Sequence, residues 1–169
     1  MGIDEQTKTV AEIKSLLLEA MPQGEDSLWQ AFIQALCKNL HCEAASYFSA
    51  DDEHRLLTLR FAAGNCAEDL TNLTFGYKGI VGEVALQRKT LLVNNVEKDP
   101  AFCKAVDKAS GFKTRAILCV PILHGKLLLG VLELLNPDCG AFSDTDRTIT
   151  EQICAEAAKI VGEMHSASN

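Results

Sequence analysis

No run of apolar residues in this chain approaches the ~20 needed to cross a bilayer, which excludes a membrane-spanning helix. Clustered lysine and arginine are missing too. The 16 basic side chains stand against 23 acidic ones, for a net charge of -7, so the phosphate-neutralising grip of nucleic-acid binders has no basis here. The opening Met1-Gly2-Ile3-Asp4-Glu5 is polar and acidic where a secretory leader places positive charge and then an apolar stretch. There is no Cys-x-x-Cys, the seven cysteines are odd in number, and the four histidines show no zinc-like spacing. Reduced thiols and no metal are therefore expected. The Gly-Lys-Ser or Gly-Lys-Thr of a P-loop is absent, and no cofactor is implied. What remains is a cytoplasmic protein with neither nucleic acid nor membrane as a partner.

What is present suits one water-soluble domain. The chain has 169 residues, 47% hydrophobic and 23% charged, enough to bury a core without staples. Val10, Ile13, Leu16, Leu17, Ala20 and Met21 recur at spacings of three and four, which predicts an amphipathic helix over 6–21, stopped by Pro22 and Gly24. Ser27 and Gln30 have the form of a capping box ahead of a second stripe, Trp29 to Leu40. Residues 44–49 and 55–62 read as a hairpin. Glycines at 76, 79 and 82 lead into a short helix reaching Gln87, a short strand covers 90–93, and Asp99-Pro100 predicts a small helix over 101–108. A second hairpin pairs 114–122 with 127–135, and the capping box Ser143/Asp146 opens a long closing helix. Hairpin-linked strands build an antiparallel sheet, so the fold class is α+β with helices on both faces. Residues 1–24 are assigned to an N-terminal helix, 25–165 to the domain proper and 166–169 to a frayed tail.

The candidate chemistry is sparse. The spaced glycines are first of all a tight loop into a helix, although such a helix start can also offer N–H groups to an anion. Cys37 and His41, four apart on the predicted helix, are two metal ligands at most. Cys37, Cys119 and Cys154 fall on apolar faces and read as packing thiols. Cys103, early in the predicted helix after Asp99, is the best placed nucleophile, but no histidine lies nearby in sequence, so an exposed or pocket-lining thiol is favoured. Asp51, Asp52 and Glu53 read as a solvated turn.

Four stretches carry a resemblance: Gly79 to Ala85, Asp99 to Phe102, Val106 to Ile122 and Gly130 to Asn136. The third is the most specific, with Asp107, Ser110, Gly111, an aromatic, a base, Thr114 and Arg115 ahead of Ile-Leu-Cys and Pro-Ile. Together they resemble the GAF domains of cyclic-nucleotide phosphodiesterases and bacterial regulators. The resemblance implies a GAF/PAS-like six-stranded antiparallel sheet, with the N- and C-terminal helices on one face and a ligand pocket under short helices on the other. Carried over by position, the ligand-binding residues would be Ser46, Phe61, Ile80 and Val81 (the last two through backbone N–H groups), with Val106, Asp107, Ser110 and Thr114 from the lid. The family's pattern after the last strand is broken, because Asn136 is followed by Pro137 in place of lysine, and Asp146 by Arg147 in place of glutamate. An ion pair from position 137 to Asp146 is thereby lost. Ala62 also stands where binders are often acidic.

The implied function is a regulatory domain that senses a small molecule, a cyclic nucleotide or another metabolite, and is not an enzyme. The alternative is a ligand-free module that forms a homodimer through the stripes of 6–21 and 148–164. A free methionine sulfoxide reductase uses the same fold and is the third reading, lacking here the setting of its reactive cysteines.

Overall fold

The computed structural model describes residues 3–65, 71–104, 107–108 and 111–167. Its chain order is helix α1 (Ile3–Ala20), helix α2 (Glu25–Asn39), strands β1 (Cys42–Asp51), β2 (Leu56–Gly64) and β3 (Thr74–Gly76), helix α3 (Gly79–Gln87), strands β4 (Leu91–Val93), β5 (Ile117–His124) and β6 (Leu127–Pro137), and helix α4 (Asp144–Ala167). The strands form one antiparallel sheet in the order β3-β2-β1-β6-β5-β4. This is the α+β architecture expected from the hairpins.

The sheet divides the interior in two. On one face α1, α2 and α4 pack their stripes: Ile13, Leu17, Leu28, Trp29, Phe32, Ile149, Ile153 and Val161 are all buried with Leu118, Leu132 and Leu134 of the sheet. Trp29 stacks on Tyr47 of β1 with ring centroids 4.1 Å apart, and its indole N–H donates to Glu25 at 3.0 Å. Glu25 also meets the His165 ring at 2.8 Å, which joins the start of α2 to the end of α4. Ile13 and Leu17 of the N-terminal stripe and Ile149, Ile153 and Val161 of the C-terminal one are thus buried within the chain. Leu16 and Leu18 are left as the exposed large apolar side chains of α1. Ile13 and Leu17 of α1 share this core.

Local signals fared unevenly. At α4 the capping box forms as expected, Ser143 N–H donating to Asp146 Oδ2 at 2.7 Å and Asp146 N–H to Ser143 Oγ at 3.1 Å. The helix runs on to Ala167, beyond the start of the tail expected to fray, with Ser166 Oγ bonded to Gly162 O. At α2 the box at Ser27/Gln30 does not form. The helix already starts at Glu25 behind Gly24, whose φ of 105° turns the chain, and Ser27 Oγ bonds back to Gln23 O. The small helix does not start at Ala101 either. Asp99 accepts the Ala101 N–H at 2.9 Å in a local turn, and helical hydrogen bonds come later, from Lys108 to Lys104 and from Gly111 to Asp107. Cys103 therefore precedes any helical turn instead of sitting in one. His41 lies past the end of α2 with φ 47°, so it and Cys37 do not share a helix face. Among the described residues no cluster of metal-ligating side chains occurs, and no described helix is long and apolar enough to cross a membrane.

Candidate functional site

Strand alternation decides what the second face of the sheet offers. On β6, Leu132 and Leu134 point to the helices, while Val131, Glu133 and Leu135 point the other way. Glu133 is paired with Ser46 of β1 on one side and Cys119 of β5 on the other. A serine, a carboxylate and a thiol therefore make one row across the middle of the sheet. Over this row α3 and the segment before β5 enclose a cavity of about 150 Å³. Phe48, Phe75, Phe102 and Phe112 supply aromatic wall, with Ser46, Glu133, Asp107 and Thr114 as the polar groups on the sheet side and lid. This is an apolar pocket with few polar groups, as small-molecule sites require.

Glu133 is the site's perturbed acid. No hydrogen bond or ion pair reaches its carboxyl among the described residues, and removal from solvent, with Asp107 nearby adding negative charge, pushes its pKa up to about 7. Below it the Cys119 thiol is pushed well up by burial. Asp107 is held differently, accepting the Thr114 N–H at 2.8 Å and the Thr114 hydroxyl at 2.6 Å. That pair pins the lid segment to the approach to β5.

The opposite wall is the start of α3. Gly79, Ile80 and Val81 line the cavity beside Lys78, the N-cap residue, whose own side chain makes no capping hydrogen bond. Its first amides and the lysine make a positive end to the cavity. The glycines have geometric work there. Gly79 adopts φ 69°, and a Cβ at Gly82 would lie 2.4 Å from the carbonyl carbon of Tyr77. Asp52 holds the far end of α3, accepting from Tyr77 Oη at 3.0 Å and pairing with Arg88 at 2.5 Å. The Arg88 guanidinium, with the Tyr77 hydroxyl, keeps the Asp52 carboxyl below its ordinary pKa. Asp52 is thus a structural tie, not only part of a solvated turn.

Of the residues expected at a ligand, Ser46, Ile80, Val81, Asp107 and Thr114 all line this cavity. Val106 and Ser110 lie outside the described residues. Phe61 does not join them: it packs into the helix-side core. The cause is a bulge. Tyr47 pairs with Phe61 but Phe48 with Leu59, so Arg60 is an extra residue on β2 and the alternation that sends Leu57 and Leu59 to the cavity side reverses beyond it. Glu133 and the four phenylalanines were not singled out from the sequence. The signal for Glu133 was one carboxylate centred in an otherwise apolar strand.

The broken motif after β6 has its own structural use. Asn136 is 1% exposed, with φ 53°. Its Oδ1 accepts from the Arg115 and Ala116 amides at 2.7 and 3.2 Å, and its Nδ2 donates to Glu43 at 2.9 Å and Lys113 O at 2.8 Å. Arg147, in the place of glutamate, pairs with Glu151 one turn on.

The family model described as "GAF domain" matches residues 22–161. Over 74 residues the chain is 36% identical to a probable 3',5'-cyclic phosphodiesterase of Caenorhabditis elegans, covering 44% of this chain and 10% of that protein. Over 72 residues it is 38% identical to the rod cGMP-specific phosphodiesterase alpha subunit of Bos taurus, covering 42% and 8%. The chain thus matches a tenth or less of these relatives' length. Among solved structures, the GAF domain of a phosphoenolpyruvate-protein phosphotransferase from Coxiella burnetii superposes with a TM-score of 0.87 at 17% identity, over 99% of both chains. A free methionine-R-sulfoxide reductase from Neisseria meningitidis gives 0.79 at 15%, over 99% of this chain and 95% of that one. At such identities the superpositions speak to fold alone. Since the family match spans most of the chain and the sheet order, helix layer and opposed cavity agree with it, the chain belongs to the GAF domain family.

Proposed function

We propose that this domain is a regulatory sensor whose cavity takes a cyclic nucleotide. The observation that carries the reading is the cavity's mixed lining: Lys78 and the start of α3, the carboxyls of Glu133 and Asp107, and aromatic wall. A cyclic nucleotide has matching groups, an anionic phosphate, a flat base and N–H donors on that base. The cyclic-nucleotide phosphodiesterases among the relatives favour the same ligand class. Ser46 and Thr114 would add hydroxyl contacts.

The cavity's size bears on the output. About 150 Å³ is small against the roughly 300–1,000 Å³ of drug-sized pockets. Admission of a nucleotide therefore displaces the wall made by Phe102, Asp107 and Phe112, and that displacement is the signal handed on. A homodimer using the exposed Leu16 and Leu18 of α1 would give the signal a second subunit to act on. The sensing role is not catalytic.

Thermal-shift titration with cyclic GMP, cyclic AMP and a small metabolite panel tests this. One cyclic nucleotide is expected to raise the melting temperature saturably, by mass action on the folded state. A shift with another metabolite alone would keep the sensor and replace the ligand. Turnover of free methionine sulfoxide with a thiol reductant would overturn the non-catalytic reading.

A further inference from the structure

Away from the cavity, where α2 ends and β1 begins, two cysteines face each other. The chain turns through Lys38, Asn39, Leu40 and His41, with Leu40 N–H on Leu36 O at 2.9 Å and His41 in the left-handed region. His41 O accepts the Asp138 N–H at 2.8 Å, which fastens the turn to the end of β6. The result is a reciprocal contact: Cys37 Sγ lies 3.1 Å from Cys42 O, and Cys42 Sγ lies 3.8 Å from Cys37 O. Cys37 is half-buried, whereas Cys42 is 8% exposed. Both open on a shallow depression shared with Lys38, His41, Gly64 and Asp138.

We propose that Cys37 and Cys42 form a redox-active dithiol that a hydroperoxide converts reversibly to a disulfide. This does not depend on the ligand assigned to the cavity. The two thiols have different roles because their settings differ. Interaction with the Cys42 side chain lowers the Cys37 pKa to about 7, against the opposing effects of burial and of Asp138. The same interaction, with burial, raises that of Cys42. Lys38, His41 and Asp138 are the charged and titratable groups around the pair. Cys37 is thus the accessible nucleophile and Cys42 the resolving thiol.

The chemistry closes on these groups and one oxidant. The Cys37 thiolate attacks a peroxide oxygen, the O–O bond breaks, and the departing oxygen takes a proton to leave as water (or as an alcohol from an organic hydroperoxide). Cys37 is then a sulfenic acid. The Cys42 sulfur attacks it, the S–O bond breaks, and the hydroxide leaves as water with the Cys42 proton. Two thiols lose two electrons and the peroxide gains them. The ring closed is only six residues, Cys37 to Cys42, so the bond locks the turn between helix and strand.

The test treats the purified chain with hydrogen peroxide, blocks remaining thiols with iodoacetamide and maps peptides by mass spectrometry. At pH 7, Cys37 is expected to alkylate faster than the exposed Cys139, since its pKa is lowered. Peroxide is expected to yield a Cys37–Cys42 disulfide that dithiothreitol reopens. Cys42→Ser should leave a Cys37 sulfenic acid that dimedone traps, and Cys37→Ser should abolish both products. Cys37→Ser alters a half-buried position, so it serves even where Cys42→Ser fails to fold. The proposal fails if peroxide oxidises Cys103 or Cys139 while Cys37 and Cys42 stay open to alkylation, or if Cys37 goes straight to sulfinic acid with Cys42 intact.

Discussion

The two faces of the sheet are built from alternate residues of the same strands, yet they do opposite things. The helix side is almost wholly apolar and closed, with Trp29, Phe32, Leu118, Leu132 and Leu134 filling it. The other side begins the same way, with Val84, Ile117 and Val131, then breaks into a cavity carrying Ser46, Glu133, Asp107 and Thr114. One face spends its burial on stability. The other withholds contacts from Glu133, which leaves a carboxyl poorly solvated and open to a ligand. The proposed sensing role rests on that asymmetry, because a site already satisfied by its own protein has nothing left to offer a ligand.

The comparison can be broken most forcefully on the closed side. Trp29→Ala removes the stack on Tyr47 and the bond to Glu25, and is expected to cost about 3–5 kcal/mol in urea unfolding. Loss of ligand affinity in the fraction that stays folded would show that the faces are not independent. Next comes Glu133→Gln. In the unfolded chain this carboxyl titrates near 4.5 and in the folded protein near 7. Below the lower value it is protonated in both states; between the two the unfolded chain releases its proton first, so stability falls as pH rises, with the full loss above about 7. The glutamine variant is expected to lack that slope and to exceed the parent by up to about 3 kcal/mol at pH 8, while binding ligand more weakly. A parallel pH slope in the variant would remove Glu133 from the account. The smallest effects come from a matched pair. Thr114→Val deletes one bond to Asp107, costs about 1 kcal/mol and weakens cavity binding in titration calorimetry. Phe61→Ala is expected to lower stability by a similar amount, on the order of 1 kcal/mol, and to leave binding unchanged. Weakened binding in the second would return Phe61 to the cavity.

Legibility followed range. Ser143 and Asp146 are three residues apart and their box forms. The box at Ser27 looked equally good and lost to Gly24, whose positive φ sets the N-cap three residues earlier. The cavity residues Ile80, Val81, Asp107 and Thr114 were legible because linear motifs carry them, and Ser46 through its place in the first hairpin. Phe61 was misplaced since one inserted residue, Arg60, reverses the facing of everything after it, and a bulge leaves no mark in an alternating pattern. Cys37 looked like a packing thiol, and part of it does pack. Its partner five residues on lies beyond the helix end, where helical spacing no longer says who faces whom.

The sequence by itself determined the hairpins, the apolar stripes, the α+β class and the absence of a membrane-length helix, because each depends on periodicity within one segment. Only the tertiary structure decided that Glu133 stands between Ser46 and Cys119 with no hydrogen-bond partner among the described residues, that α1 packs on α2 and α4 while α4 packs on the sheet, and that Cys37 meets Cys42. Those outcomes depend on strand register and on a turn bringing two elements side by side, and neither is a property of any single segment.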